Sequence, residues 1–150
     1  MRMELTPEMI KLYAEKPFQF IERTGLTAIT LNKGHVKLLM PLKGNENHIG
    51  IMYAGAIFTL AEVPGGVLFL TSFNVTEFYP IIKEVTIRFI RPVKTDITVE
   101  SFISDDEINH LEKTARQNGK AEYILNHKLI DENDGLVAES KGIYQIRTNK

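Results

Sequence analysis

The stretch YAGAIFTLAEVPGGVLFLTSF, Tyr53 to Phe73, carries one charged side chain, Glu62, among apolar and small residues. A segment apolar on nearly every side is suited to a helix buried all round, as in the centre of a wrapped fold. A bilayer span also needs about 20 predominantly apolar residues. Here Glu62 and the Pro64-Gly65-Gly66 triplet split the segment, and no basic clusters flank it to set an orientation. The reading is therefore a central core helix with no membrane partner.

The flanking sequence supplies strands to wrap that helix. Thr27 to Leu42 reads as a hairpin turning at Lys33-Gly34, with Val36, Leu38 and Met40 alternating with His35, Lys37 and Leu39. Ile81 to Ser104 predicts two long strands joined near Pro92 to Asp96, the first showing Val85, Ile87 and Phe89 at alternate positions. Asp105 to Gly119 has evenly spaced apolar residues only at Ile108, Leu111 and Ala115, so it is either a short helix or a polar excursion. Lys120 to Thr148 gives two final strands around the Asp134-Gly135 turn. At the other end, Met1 to Phe20 intersperses Glu4, Glu8, Lys11 and Glu15 with apolar residues, which suits a short amphipathic helix and not a signal peptide. The order predicts a single α+β domain over residues 1–150, a curved antiparallel sheet around a long central helix.

Composition agrees. The 150 residues are 43% hydrophobic and 25% charged, which suits one globular domain. Eighteen basic against nineteen acidic residues leave a net charge of -1, so no field favours nucleic acid. Without cysteine there are no disulfides, thiolate metal sites or thiol nucleophile, and the chain fits a reducing cytoplasm. The four histidines lie on separate segments with no i, i+4 pair, so no metal site is expected.

With the strand order in view, Asn47 to Glu62, NHIGIMYAGAIFTLAE, followed by Val85 to Ser101, VTIRFIRPVKTDITVES, resembles the hot-dog fold thioesterases, in particular their PaaI-like and DUF4442-type branch. That family's pattern has an Asn, a Gly three residues on, then His-Gly-Gly and an acidic residue seven positions past the last Gly. Asn47, Gly50, Gly55 and Glu62 occupy those places here, while Tyr53 stands where the pattern has His and Ala54 where it has the first Gly. The resemblance implies an acyl-CoA thioesterase with no cofactor beyond the coenzyme A of its substrate. It also implies a homodimer or homotetramer with sites formed between subunits.

The residues themselves support compatible chemistry. In a helix starting near Tyr53, the positions Gly55, Phe58, Thr59, Glu62 and Gly66 share one stripe. The first N–H groups, near Ala54 and Gly55, lack helical partners and can polarise a thioester carbonyl and stabilise its oxyanion. Glu62, about 10 Å further along, would act as general base for water, its pKa raised by apolar surroundings. Asn47 would orient water or substrate. Tyr53, Thr59, Phe58 and His48 are candidate substrate contacts, and Arg88 and Arg91 are candidates for coenzyme A phosphates.

Each residue also has a structural reading. Glu62 is alternatively a buried carboxylate bonded to backbone amides freed by Pro64. Asn47 alternatively turns the loop, Gly55 serves close packing, Thr59 bonds back to its own helix, and the two arginines belong to a solvated strand face. Two further functions stay open. One is a non-catalytic acyl-thioester binding protein, given Tyr53 and Ala54; the other is an acyl-thioester hydratase or dehydratase, which needs a histidine such as His48 beside the acid.

Overall fold

The computed structural model describes residues 4–149. The chain runs α1 (Pro7–Glu15), α2 (Gln19–Thr24), β1 (Thr27–Asn32), β2 (His35–Met40), α3 (Ala54–Ser72), β3 (Phe78–Phe89), β4 (Ile97–Phe102), α4 (Asp105–Asn118), β5 (Lys120–Asp131) and β6 (Leu136–Thr148). The six strands form one antiparallel sheet in the order β1-β2-β4-β5-β6-β3. This is the predicted α+β architecture, with α3 packed against strands across the sheet.

Local chemistry explains the elements. Thr6 caps α1 by accepting the Met9 N–H, and Pro7 stands in the first turn, where no N–H is required. The amphipathic helix expected within Met1 to Phe20 is α1; Met1–Met3 lie outside the described residues. Its run ends before Pro17, and α2 follows, a second short helix that the sequence reading did not separate. The hairpin turns where expected. Gly34 has φ +76°, and a Cβ there would lie 2.6 Å from the Ile103 carbonyl oxygen, so glycine is required twice over.

The segment Asp105 to Gly119 resolves as a 14-residue helix. Ser104 caps it through the Glu107 N–H, Gly119 closes it at φ +82°, and the three buried side chains are Ile108, Leu111 and Ala115. Polar residues cover the rest of its surface, which is why its apolar signal is sparse.

The expectation of two long strands in Ile81 to Ser104 needs correction. β3 begins earlier, at Phe78, whereas β4 has only six residues. The two are also far apart in the sheet: β3 pairs β6 and forms one edge, while β4 sits between β2 and β5. Along its apolar length α3 buries Leu60, Leu68 and Phe69 in a core shared with Val36, Leu38, Met40, Val99 and Ile146. Among the described residues α3 alone has the length and composition of a membrane span, but most of it is buried inside the fold, as a core helix should be.

Candidate active site

Pro64 lies inside α3 and has no N–H, so the carbonyl of Leu60, four residues earlier, loses its helical donor. The next two carbonyls receive donors from the sheet. His127 Nδ1 of β5 lies 3.2 Å from the Ala61 oxygen, and the Tyr144 hydroxyl of β6 donates to the Glu62 oxygen at 3.3 Å. A carbonyl only accepts, so Nδ1 carries the imidazole proton. In the neutral ring Nε2 then accepts from the Ser101 hydroxyl at 2.7 Å. Burial favours that neutral form by lowering the His127 pKa.

The Glu62 side chain faces the N-terminal helices. It is half-buried on the wall of a groove of about 280 Å³ between α3 and the N-terminal helices. Tyr13, Pro17, Phe18 and Ile21 face Val63, Gly66, Val67 and Leu70 across this groove, and Glu62 is the one charged residue lining it. Its carboxylate has no hydrogen-bond or ion-pair partner among the described residues. Burial raises its pKa from the ordinary glutamate value. The expected alternative, a carboxylate tied to amides freed by Pro64, is not what the structure holds.

The helix start forms a neighbouring concavity of about 240 Å³, lined by Phe20, Arg23, Thr24, Gly44, Asn45, Tyr53, Gly55, Ala56 and Thr59. Tyr53 is the N-cap residue and offers no side-chain cap; its carbonyl accepts from Ala56 and Ile57. The N–H groups of Ala54 and Gly55, in the first turn, have no backbone partner among the described residues. The Tyr53 ring lies across Gly55, where a Cβ would come within 2.5 Å of it, so a larger residue there would push this exposed ring aside. Thr59 donates its hydroxyl back to the Gly55 carbonyl at 2.7 Å. Phe58, on the same stripe, is exposed to solvent.

Other nominated residues lie further off. Asn47 Oδ1 accepts the N–H groups of Ile49 and Ile51 at 3.0 and 3.3 Å, which organises the loop before α3. His48 is exposed in that loop and does not line the Glu62 groove. Arg91 Nε donates to the Leu136 carbonyl at 3.0 Å, beside the β5–β6 turn. Arg88 lines a different, open concavity of about 660 Å³ on strands β3 to β6, in mixed company with Lys128, Glu139 and Lys141. Within one chain, therefore, neither arginine joins Glu62. Among the described residues no three His, Asp or Glu side chains converge as metal ligands would.

Sequence reasoning missed the far wall of the groove, Tyr13, Phe18 and Ile21, and missed Arg23 at the helix start. The exposed aromatic residues of Lys16 to Phe20 were the available signal, since an amphipathic helix end crowded with phenylalanine suggests a covering role. Ser101, His127 and Tyr144 were also missed. Ser101 and His127 alternate with outward-facing residues on their strands, Tyr144 lies in a buried run of β6, and all three read as ordinary core positions.

A family model described as "Domain of unknown function (DUF4442)" matches residues 14–142. A solved Pseudomonas aeruginosa protein, described as of unknown function and a probable thioesterase, is 52% identical, with 99% of this chain and 100% of that one covered and a TM-score of 0.94. A Chlorobaculum tepidum protein of unknown function shares 18% identity over 97% and 98% of the two chains, with a TM-score of 0.82. A Haemophilus influenzae thioesterase shares 12% identity over 98% and 94%, with a TM-score of 0.74. At such identities the last two bear on the fold alone. No curated protein matches the chain.

Proposed function

The chain belongs to the DUF4442 family and has the hot-dog fold of the thioesterase superfamily, and from that premise we propose that it hydrolyses acyl thioesters, with Glu62 as general base. The observation that carries the reading is the Glu62 carboxylate, unpaired and half-buried on the wall of an otherwise apolar groove. Retaining an unpaired carboxyl in apolar surroundings costs stability. Its raised pKa makes it a stronger base once ionised.

In this mechanism the acyl group enters the groove between α1, α2 and α3, and its apolar lining selects an apolar acyl chain. Glu62 removes a proton from a water that attacks the thioester carbonyl carbon. The oxyanion is stabilised by N–H groups at the start of α3, and as it collapses the C–S bond breaks and the thiolate of coenzyme A, or of a related carrier, leaves with the proton that Glu62 had taken, which restores the carboxylate. Arg23 beside that helix start supplies a cation toward the phosphates of the carrier. No cofactor takes part.

Self-association belongs to the same proposal. β3 is an unpaired edge of twelve residues. It leaves Tyr79, Ile82 and Phe89 exposed, alongside Phe58 of α3. A long apolar edge of this kind invites a second copy, and a homodimer formed there would close the open side of the groove.

A second reading has an observation in its favour. Asn47 Oδ1 and the Thr59 hydroxyl bond the protein's own backbone, and the family's His is Tyr53 here. A protein that binds acyl thioesters without turnover has the same groove. The test is release of free coenzyme A from short, medium, long and aromatic acyl-CoAs by the native protein and by a folded Glu62→Gln variant. Turnover lost in the variant supports hydrolysis at Glu62. Binding without turnover by the native protein supports the second reading and overturns the first.

A further inference from the structure

Two strands reach into α3 at the residue that carries the proposed chemistry. His127 donates to the carbonyl of Ala61 and Tyr144 to that of Glu62, the two carbonyls following the one that Pro64 leaves without a partner. The approach depends on small residues. A Cβ at Gly65 would overlap the Tyr144 ring, and so would one at Gly142, so the phenol passes between two glycines to reach the helix. His127 is likewise supported from behind. β4 and β5 pair only over Ile97–Val99 with Leu129–Asp131, and beyond that ladder the Ser101 hydroxyl meets His127 Nε2. His127 and Ser101 are both nearly inaccessible to solvent.

A proline within a helix removes one hydrogen bond and loosens the turn before it. Here that turn bears Glu62. A general base shifted by about 1 Å loses about 100-fold in rate, so the turn must be held by something other than its own ladder. We propose that His127 and Tyr144 are positioning residues, which fix the main chain of α3 at Ala61 and Glu62 and thereby aim the Glu62 carboxylate into the groove. Neither touches substrate. Ser101 completes the device by holding the imidazole with its Nδ1–H toward the helix. The inference rests on the reading of Glu62 as general base.

Variants separate positioning from packing. Tyr144→Phe keeps the ring between the glycines and deletes the hydroxyl. His127→Asn places a donor near Nδ1 and keeps the bond to Ala61; His127→Gln reaches toward Ser101 and loses it. Expected are a fall in kcat of about tenfold for Tyr144→Phe and for His127→Gln, with KM nearly unchanged, and recovery of most of that loss in His127→Asn. In a Glu62→Gln background, Tyr144→Phe should cost nothing further. Titration of the Glu62 carboxyl by carbon-13 NMR, which needs no turnover, should show its midpoint moved in Tyr144→Phe and His127→Gln but retained in His127→Asn.

The outcomes are distinguishable. Glu62→Gln inactive, with Tyr144→Phe and His127→Gln both at native kcat and an unmoved Glu62 titration, overturns the positioning role and leaves the base intact. Equal losses in His127→Asn and His127→Gln also overturn it, since that pattern reports packing. Glu62→Gln at full turnover overturns both readings together.

Discussion

The hydroxyl of Tyr144 donates to the main-chain carbonyl of Glu62 at 3.3 Å while its ring fills the space a side chain at Gly65 would need. One residue of β6 thus reads the helix twice, by hydrogen bond and by shape. Its phenol pKa is pushed up by burial and by the negative charge of Glu62. It therefore stays protonated and remains a donor throughout the working range.

Gly65→Ala should destabilise the protein by about 1–3 kcal/mol, the usual cost of overpacking a filled site. Helix propensity alone predicts the opposite sign, a gain of about 1 kcal/mol. Urea denaturation of the two proteins checks it, and a variant as stable as the native chain would show that the Tyr144 ring moves aside freely.

Gly66→Leu tests the groove. A Cβ at Gly66 meets nothing within 4 Å, and the residue lines the cavity beside Glu62. The variant should fold at least as stably as the native protein yet discriminate against bulky acyl groups, with KM rising more for long or aromatic acyl-CoAs than for short ones. A uniform effect across the panel would place the acyl chain elsewhere.

The pH dependence of kcat/KM should carry an acid limb belonging to Glu62. Burial raises its pKa, so the base is lost by protonation at a higher pH than an ordinary glutamate, about 4.3, would be. Activity then rises with pH through a midpoint above that value. Glu62→Gln should lower kcat by about 10²–10⁴-fold and abolish the limb.

Stability should also respond to pH, through His127. Its folded-state pKa lies below the ordinary histidine value, so the unfolded chain binds a proton first as the solution is acidified. The stabilisation is complete above about pH 6.5 and is lost as pH falls from there toward the folded-state value. Urea unfolding at neutral pH and about one unit below 6.5 measures it, and His127→Asn should flatten that part of the slope.

Self-association should depend on the β3 edge. The native chain is expected to sediment above its 17.1 kDa monomer mass, and Ile82→Lys should shift it toward the monomer by placing a charge on the exposed edge. A native protein that sediments as a monomer at micromolar concentration removes the dimer from the proposal.

Much of the fold was legible because its signals are local. Lys33-Gly34 marks its turn, and the alternation along β2 is written in consecutive residues. The apolar run of α3 has no polar face to offer solvent, so it has to be wrapped. Glu62 stood out for the same reason: a carboxylate in such a run is costly wherever it lies. The polar helix α4 stayed open between two readings because its buried stripe is one side chain wide.

By itself the sequence determined the helix to be buried, the strands to surround it and a lone acid to sit within it, because periodicity and turn chemistry act between near neighbours. Only the tertiary structure decided what that acid faces. The groove needs α1 and α2 to fold back over α3, and the donors to Ala61 and Glu62 come from His127 and Tyr144, 66 and 82 residues away. Contacts of that separation depend on sheet order and register, and the placing of β3 beside β6 and not beside β4 is a long-range pairing that no local signal encodes.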